Sequence, residues 1–240
     1  MGLLIRGIKM AKVKNEATRH KILYTAYQRF IDDGYENVLL KDIAADCEIS
    51  LSLLQHYYRK KEMILTHIVY DLVYKVLRFQ KSHVSPALLE GPYSAHLADT
   101  VFYELFYSLF RADNYRLLKV YKWVLNNASM LNEGILLCKD FLAELYGIPG
   151  DERYEIPVGT YVFNGTMSQL MALYFVRDTM TTPLDDLLKL ARTVYFRYYK
   201  LSEKAQKEIF AAAEAIVTPE LKQELHDYYY ESLDHFLDMK

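Results

Sequence analysis

Apolar residues recur three and four positions apart along most of this chain, between widely spaced breakers, while strand-type alternation is scarce. That pattern points to an all-helical fold. Only 9 glycines and 6 prolines punctuate the 240 residues, and several of them stand where an apolar period stops. Ile22, Ala26 and Phe30 repeat at four-residue steps with Leu23 and Tyr27 beside them. One apolar face therefore covers residues 16–33 and ends before Gly34, a natural left-handed cap.

Two short helices follow over residues 40–46 and 51–56, joined by the tight turn Glu48-Ile49-Ser50. Neither is long enough to hold alone. From Lys61 the spacing Ile64, Ile68, Leu72, Val76 predicts a long helix to residue 81, broken by Pro86, Gly91 and Pro92. Further helices are predicted over 94–111, 115–129, 132–146, 157–178, 184–201, 203–216 and 220–239. Thr182-Pro183-Leu184-Asp185 and Thr218-Pro219-Glu220 each offer a hydroxyl N-cap, a proline at the first helical position and an acid in the first turn.

A 28.2 kDa chain buries a sizeable core without staples. Its two cysteines, Cys47 and Cys138, suit a reducing cytoplasm, read as packed thiols and leave no cysteine-rich metal site. The apolar run Gly2 to Ile5 is too short for the core of a signal peptide. The longest uncharged stretch, residues 156–176, contains Pro157, Gly159, Asn164, Gly165, Thr166, Ser168 and Gln169. It reads as a helix covered on most sides rather than a membrane span.

The formal net charge of -2 hides a division within the chain. Residues 1–62 hold 11 Lys/Arg against 8 Asp/Glu, and the remainder holds 18 against 23. Arg6, Lys9, Lys12, Lys14, Arg19 and Lys21 make the first 21 residues a basic arm, opposed only by Glu16. The sequence thus divides into a basic arm (1–15), a three-helix head (16–62) and a larger helical body (63–240). Enzyme chemistry has no foothold in the motifs. The seven histidines include no i, i+4 pair with an adjacent acid, and neither a Gly-x-Ser-x-Gly elbow nor a phosphate-cradling glycine loop is present. No catalytic residue, metal ligand or cofactor is assigned.

Two short helices on a three-residue turn, with a supporting helix before and a long one after, have the size of a helix-turn-helix module. The landmarks run from Thr18 to Leu65: Ile22-Leu23, Ala26, Phe30, Gly34-Tyr35, Asp42-Ile43-Ala44, Ile49-Ser50, Tyr57-Tyr58 and Lys61-Glu62. This stretch resembles the N-terminal domain of the TetR family of bacterial transcriptional regulators. The resemblance implies that Leu51, Ser52, Leu53, Gln55 and His56 face the major groove, while Lys41, Tyr57 and Lys61 hold phosphates. Gln55 suits the N6 and N7 of an adenine, and Leu51 or Leu53 a thymine methyl. The chain departs from the family pattern at Glu48, where a turn glycine is usual, at Ser52 and Gln55, and at Val38-Leu39, where a hydroxyl cap is usual.

The body is rich in aromatic residues. Phe102, Phe106 and Phe110 fall at four-residue steps with Tyr103 and Tyr107 alongside. Ordinary core packing is the plain reading of such a ridge. The resemblance adds a second, the wall of a pocket for a small apolar or aromatic effector, with Tyr121, Trp123, Phe141, Phe163, Met167 and Met171 as further lining. It also implies a homodimer joined through residues 157–178 and 184–201, bound to a palindromic operator in double-stranded DNA. The expected function is a cytoplasmic, ligand-responsive regulator, a repressor that its effector releases from DNA. The competing expectation is a helical protein-interaction adaptor that keeps the head's fold without its DNA binding.

Overall fold

The fold was read from a computed structural model, which describes residues 2–110, 115–125, 158–171, 173–174 and 182–232, with side chains of the first helix from Glu16 onward. The described residues are helical, with no strand among them. The protein is all-α. Its helices are α1 (Gly2–Asp32), α2 (Leu40–Asp46), α3 (Leu51–Tyr57), α4 (Lys61–His83), α5 (Ser94–Ser108) and α6 (Tyr115–Leu125). After these come α7 (Val158–Met171), α8 (Leu184–Tyr198), α9 (Glu203–Ile216) and α10 (Pro219–Glu231), and a 3-10 turn, Pro86–Leu89, links α4 to α5. The predicted helix over 132–146 lies outside the described residues.

Helix α1 starts at Gly2 rather than Glu16, so the basic arm is continuous with the first helix of the head. The expected boundary between head and body likewise falls inside the first turn of α4. That helix serves both parts: Ile64, Leu65 and Ile68 join the same core as Ile22, Phe30 and Leu54 at one end and Val101 and Leu105 at the other.

The local signals explain most helix ends. Gly34 takes φ +82, as its place after α1 requires. Ser50, Ser202 and Thr218 cap α3, α9 and α10 by accepting the backbone N–H of Leu53, Ala205 and Leu221 through their hydroxyl oxygens. Thr182 does not cap α8. The N-cap there is Pro183, and Asp185 and Asp186 in the first turn answer the helix dipole. At α2 the apolar N-cap Leu39 offers no side-chain acceptor, and the Asp42 carboxylate instead accepts the Leu39 N–H at 3.0 Å.

Glu48 stands at φ +54, a left-handed position without glycine. It closes α2 as a Schellman motif, with the Glu48 N–H on the Ala45 carbonyl at 2.9 Å and the Ile49 N–H on the Ala44 carbonyl at 3.0 Å. Lys200, at φ +56, ends α8 in the same way. Glu48→Gly is therefore expected to stabilise the head by about 1 kcal/mol, read as a higher thermal midpoint. A lower midpoint would mean that the exposed Lys21–Glu48 pair at 3.4 Å outweighs the backbone strain.

The body is built on α4 and α5. Helices α7 and α8 pack on each other, α9 folds back onto α5, and α10 lies against α4. Lys75 of α4, 2% exposed, is paired with Asp71 at 2.7 Å and donates to the carbonyl of Ser232 at 2.7 Å, fastening the end of α10. Gln80, also buried, donates to the Ala98 carbonyl at 2.9 Å and ties α4 to α5.

Candidate functional site

Helix α3 gives almost everything it has to solvent. Leu54 alone of its seven residues is buried, and it anchors the helix on the head's core. Leu51, Ser52, Leu53, Gln55 and His56 are exposed, Tyr57 is half-buried, and Lys41 of α2 is exposed. The Ser50 cap fixes where this helix begins, and Cys47, 2% exposed behind it, packs its thiol toward the Lys21 carbonyl at 3.7 Å. Burial pushes that thiol's pKa up, which suits packing rather than reactivity. Cys138 lies outside the described residues.

A carboxylate clamp fixes α2 against α1. Arg29 grips Asp46 with Nε to Oδ2 at 2.5 Å and Nη2 to Oδ1 at 2.9 Å, and reaches Asp33 at 2.8 Å. The guanidinium holds the Asp46 carboxyl below its ordinary range. Because the contact is bidentate, it orients as well as attracts.

Lys61 faces inward, not toward a phosphate. Its Nζ donates to the carbonyls of Tyr35 at 2.6 Å and Val38 at 2.8 Å and stands 4.2 Å from the Tyr35 ring centroid. Those carbonyls face the N-terminal end of α4, and the ammonium supplies their donors; desolvation lowers its pKa. The cations that sequence reasoning passed over are Arg59 and Lys60, both exposed in the joint between α3 and α4. Their signal was plain in the run Arg59-Lys60-Lys61, of which only the third side chain turns in.

The candidate pocket residues divide. Phe102, Phe106, Phe110, Tyr121, Phe163 and Met167 are all buried at 5% exposure or less. Phe106 meets Phe110 at 5.3 Å between centroids, Phe110 meets Tyr121 at 5.4 Å, and Tyr103 meets Phe163 at 4.2 Å. The ridge thus spends its faces on ring contacts, as a packed core does. Its hydroxyls are engaged too: Tyr103 donates to Asn164 Oδ1 at 2.8 Å and Tyr121 to the Ile68 carbonyl at 3.3 Å. Trp123 stands apart from them, half-buried, with its ring 4.9 Å from that of Tyr35 in the head. Phe141 and the side chain of Met171 lie outside the described residues.

One buried polar cluster was not anticipated. Arg192 of α8 is 1% exposed, with Nη1 and Nη2 on Asp99 Oδ2 at 3.0 and 2.9 Å and Nη2 on Thr100 Oγ1 at 3.0 Å. Its guanidinium carbon lies 4.4 Å from the Tyr195 ring centroid and 4.7 Å from that of Phe163. The cluster joins α5, α7 and α8 at one point. Its trace in the sequence is a charge on an apolar stripe, since Arg192 shares a helical face with Leu188 and Tyr195.

Among the described residues, no three His, Cys, Asp or Glu side chains gather as a metal site, and no helix is long and apolar enough to cross a membrane. Comparison of the chain with protein-family models, curated proteins and solved structures finds no match.

Proposed function

We propose that the protein is a cytoplasmic, dimeric, DNA-binding transcriptional regulator of TetR-like design, a repressor that a small apolar or aromatic effector releases from a palindromic operator. The observation that carries this reading is α3: a capped helix anchored by buried Leu54 and half-buried Tyr57, with five side chains in solvent and exposed cations at Lys41, Arg59 and Lys60. A helix so mounted fits the major groove, with Gln55 as the base reader and the cations on phosphates. The effector part of the reading comes from the resemblance alone, since the α5 ridge is packed on its own neighbours. Two heads on a two-fold axis would meet the two halves of a palindrome.

Titration of the protein with double-stranded DNA from its own upstream region, at several salt concentrations, tests the reading. Lys60→Ala is expected to weaken binding evenly across sequences and to lower the salt slope by about 1. Gln55→Ala is expected to relax preference at one base pair, by a discrimination of about 1–3 kcal/mol. Equal binding of all sequences, or none at low salt, would sink the regulator.

A second reading, a protein-interaction adaptor, has its own observation. Leu39, Leu51 and Leu53 of the head, with Met63 at its border with the body, are all at least 40% exposed. Apolar side chains at that density suit a protein surface as well as thymine methyls and sugars. Salt separates the two, since phosphate contacts weaken steeply with ionic strength and apolar docking does not.

A further inference from the structure

Helix α6 stands between the aromatic ridge and the head. Tyr121 and Trp123 are two residues apart on it, a separation that turns side chains to opposite sides of a helix. Tyr121 meets Phe110 of the ridge at 5.4 Å, and Trp123 meets Tyr35 of the head at 4.9 Å. Tyr35 lies in the turn that leads from α1 into α2, is 6% exposed, and packs edge-on against Phe30 at 5.1 Å. From its other side comes Lys61, whose Nζ holds the Tyr35 and Val38 carbonyls and sits over the Tyr35 ring. Val38 is followed directly by Leu39, the N-cap of α2.

We propose that the Trp123–Tyr35 ring contact, backed by Lys61, is the joint through which the body sets the pose of α2 and α3. This rests on the regulator reading and adds its route. A shift of α6 against the ridge at Tyr121 would move the Trp123 ring by a similar amount in the same rigid helix. Tyr35 has no room to stay behind, being held between Phe30, Trp123 and Lys61. The turn it belongs to carries the start of α2, and α2 carries α3 through the turn closed at Glu48. Arg29 on Asp46 makes α1 and α2 respond together. Trp123, expected to line a pocket, takes the role of a positioning residue between the two parts.

The test is hydrogen exchange on the full chain without DNA, comparing wild type with Trp123→Leu, Trp123→Phe and Tyr35→Leu. Trp123→Leu is expected to speed exchange of the α2 and α3 amides roughly fivefold, the worth of one aromatic contact, and to leave those of α8 unchanged. Trp123→Phe, which keeps a ring against Tyr35, is expected to behave as wild type. Combining Trp123→Leu with Tyr35→Leu should be no faster in α2 and α3 than Tyr35→Leu alone. Unchanged exchange in α2 and α3, or an equal rise in every helix, would overturn the joint. Since Trp123 is the only tryptophan, its emission offers a second readout: a shift on adding operator DNA is expected, and it should vanish in Tyr35→Leu. A chain that binds no DNA yet shows the exchange pattern would sink the regulator and keep the joint. DNA binding with no exchange response would do the reverse.

Discussion

Asp99→Ala is expected to cost about 3 kcal/mol of stability, the low end of what breaking a buried ion pair costs. The low end applies because the Asp99 carboxylate is 16% exposed and water reaches it, whereas its partner Arg192 is 1% exposed and has no such recourse. Removing the carboxylate leaves a guanidinium enclosed by Tyr103, Phe163, Tyr195 and Phe196, with Thr100 as its remaining oxygen partner. Ring faces attract a desolvated cation by about 2 kcal/mol or somewhat more, still less than the several kcal/mol of desolvation they impose. Arg192→Met removes the charge and keeps apolar volume among the rings, and the Asp99 left behind can hydrate. The order of stability should therefore be wild type, then Arg192→Met, then Asp99→Ala, with the double variant more stable than Asp99→Ala alone. Denaturant unfolding of the four proteins measures this, and a cost below about 1 kcal/mol for Asp99→Ala would remove the pair as the pin between α5 and α8.

That pin shows where a sequence of this kind is legible and where it is not. Helices α2 and α9 fall on their predicted residues, because their ends are marked by short-range chemistry: the Schellman turn at Glu48 and the Ser202 cap. The exposed face of α3 came from the resemblance and not from the apolar period, since Leu51 stands three residues before the buried Leu54 and is exposed all the same. Side-chain direction was not legible. Lys61 looks like a phosphate ligand until the Tyr35 and Val38 carbonyls, more than twenty residues back in the chain, are placed beside it. Trp123, placed with the pocket lining by the resemblance, has the Tyr35 ring 4.9 Å away, a neighbour that no local pattern announces. The charges in the body follow the same rule. Asp71 with Lys75, and Arg192 alone, lie on apolar stripes where the period of the helix says they are buried. The partners that make burial possible, Ser232 and Asp99, come from helices 157 and 93 residues away, and no local pattern announces them.

The largest functional effect is expected from the outer face of α8. Its inner face, Leu187, Leu188, Ala191, Arg192, Tyr195 and Phe196, is spent within the chain. On the outer face Leu190, Val194 and Tyr198 repeat at four-residue steps and are 53%, 37% and 48% exposed, and on α7 Val158 and Tyr161 are exposed too. Eleven large apolar side chains are exposed among the described residues, and five of them are these, on the two helices assigned to the dimer. A second copy of the chain is the proposed cover, and a two-fold contact makes each substitution enter the interface twice. Leu190→Asp with Val194→Asp would set four carboxylates in one apolar seam, each costing several kcal/mol when it cannot be hydrated or paired. In the separated chain the same side chains lie in solvent, so folding should change by no more than about 0.5 kcal/mol per site. The expected outcome is a folded monomer at concentrations where the wild type sediments as a dimer, with operator affinity reduced at least 100-fold because one head reads only half a palindrome. A doubly substituted chain that still sediments with the wild type would move the dimer contact away from α8. A wild type that is monomeric and still binds a single half-site tightly would remove the dimer from the function altogether.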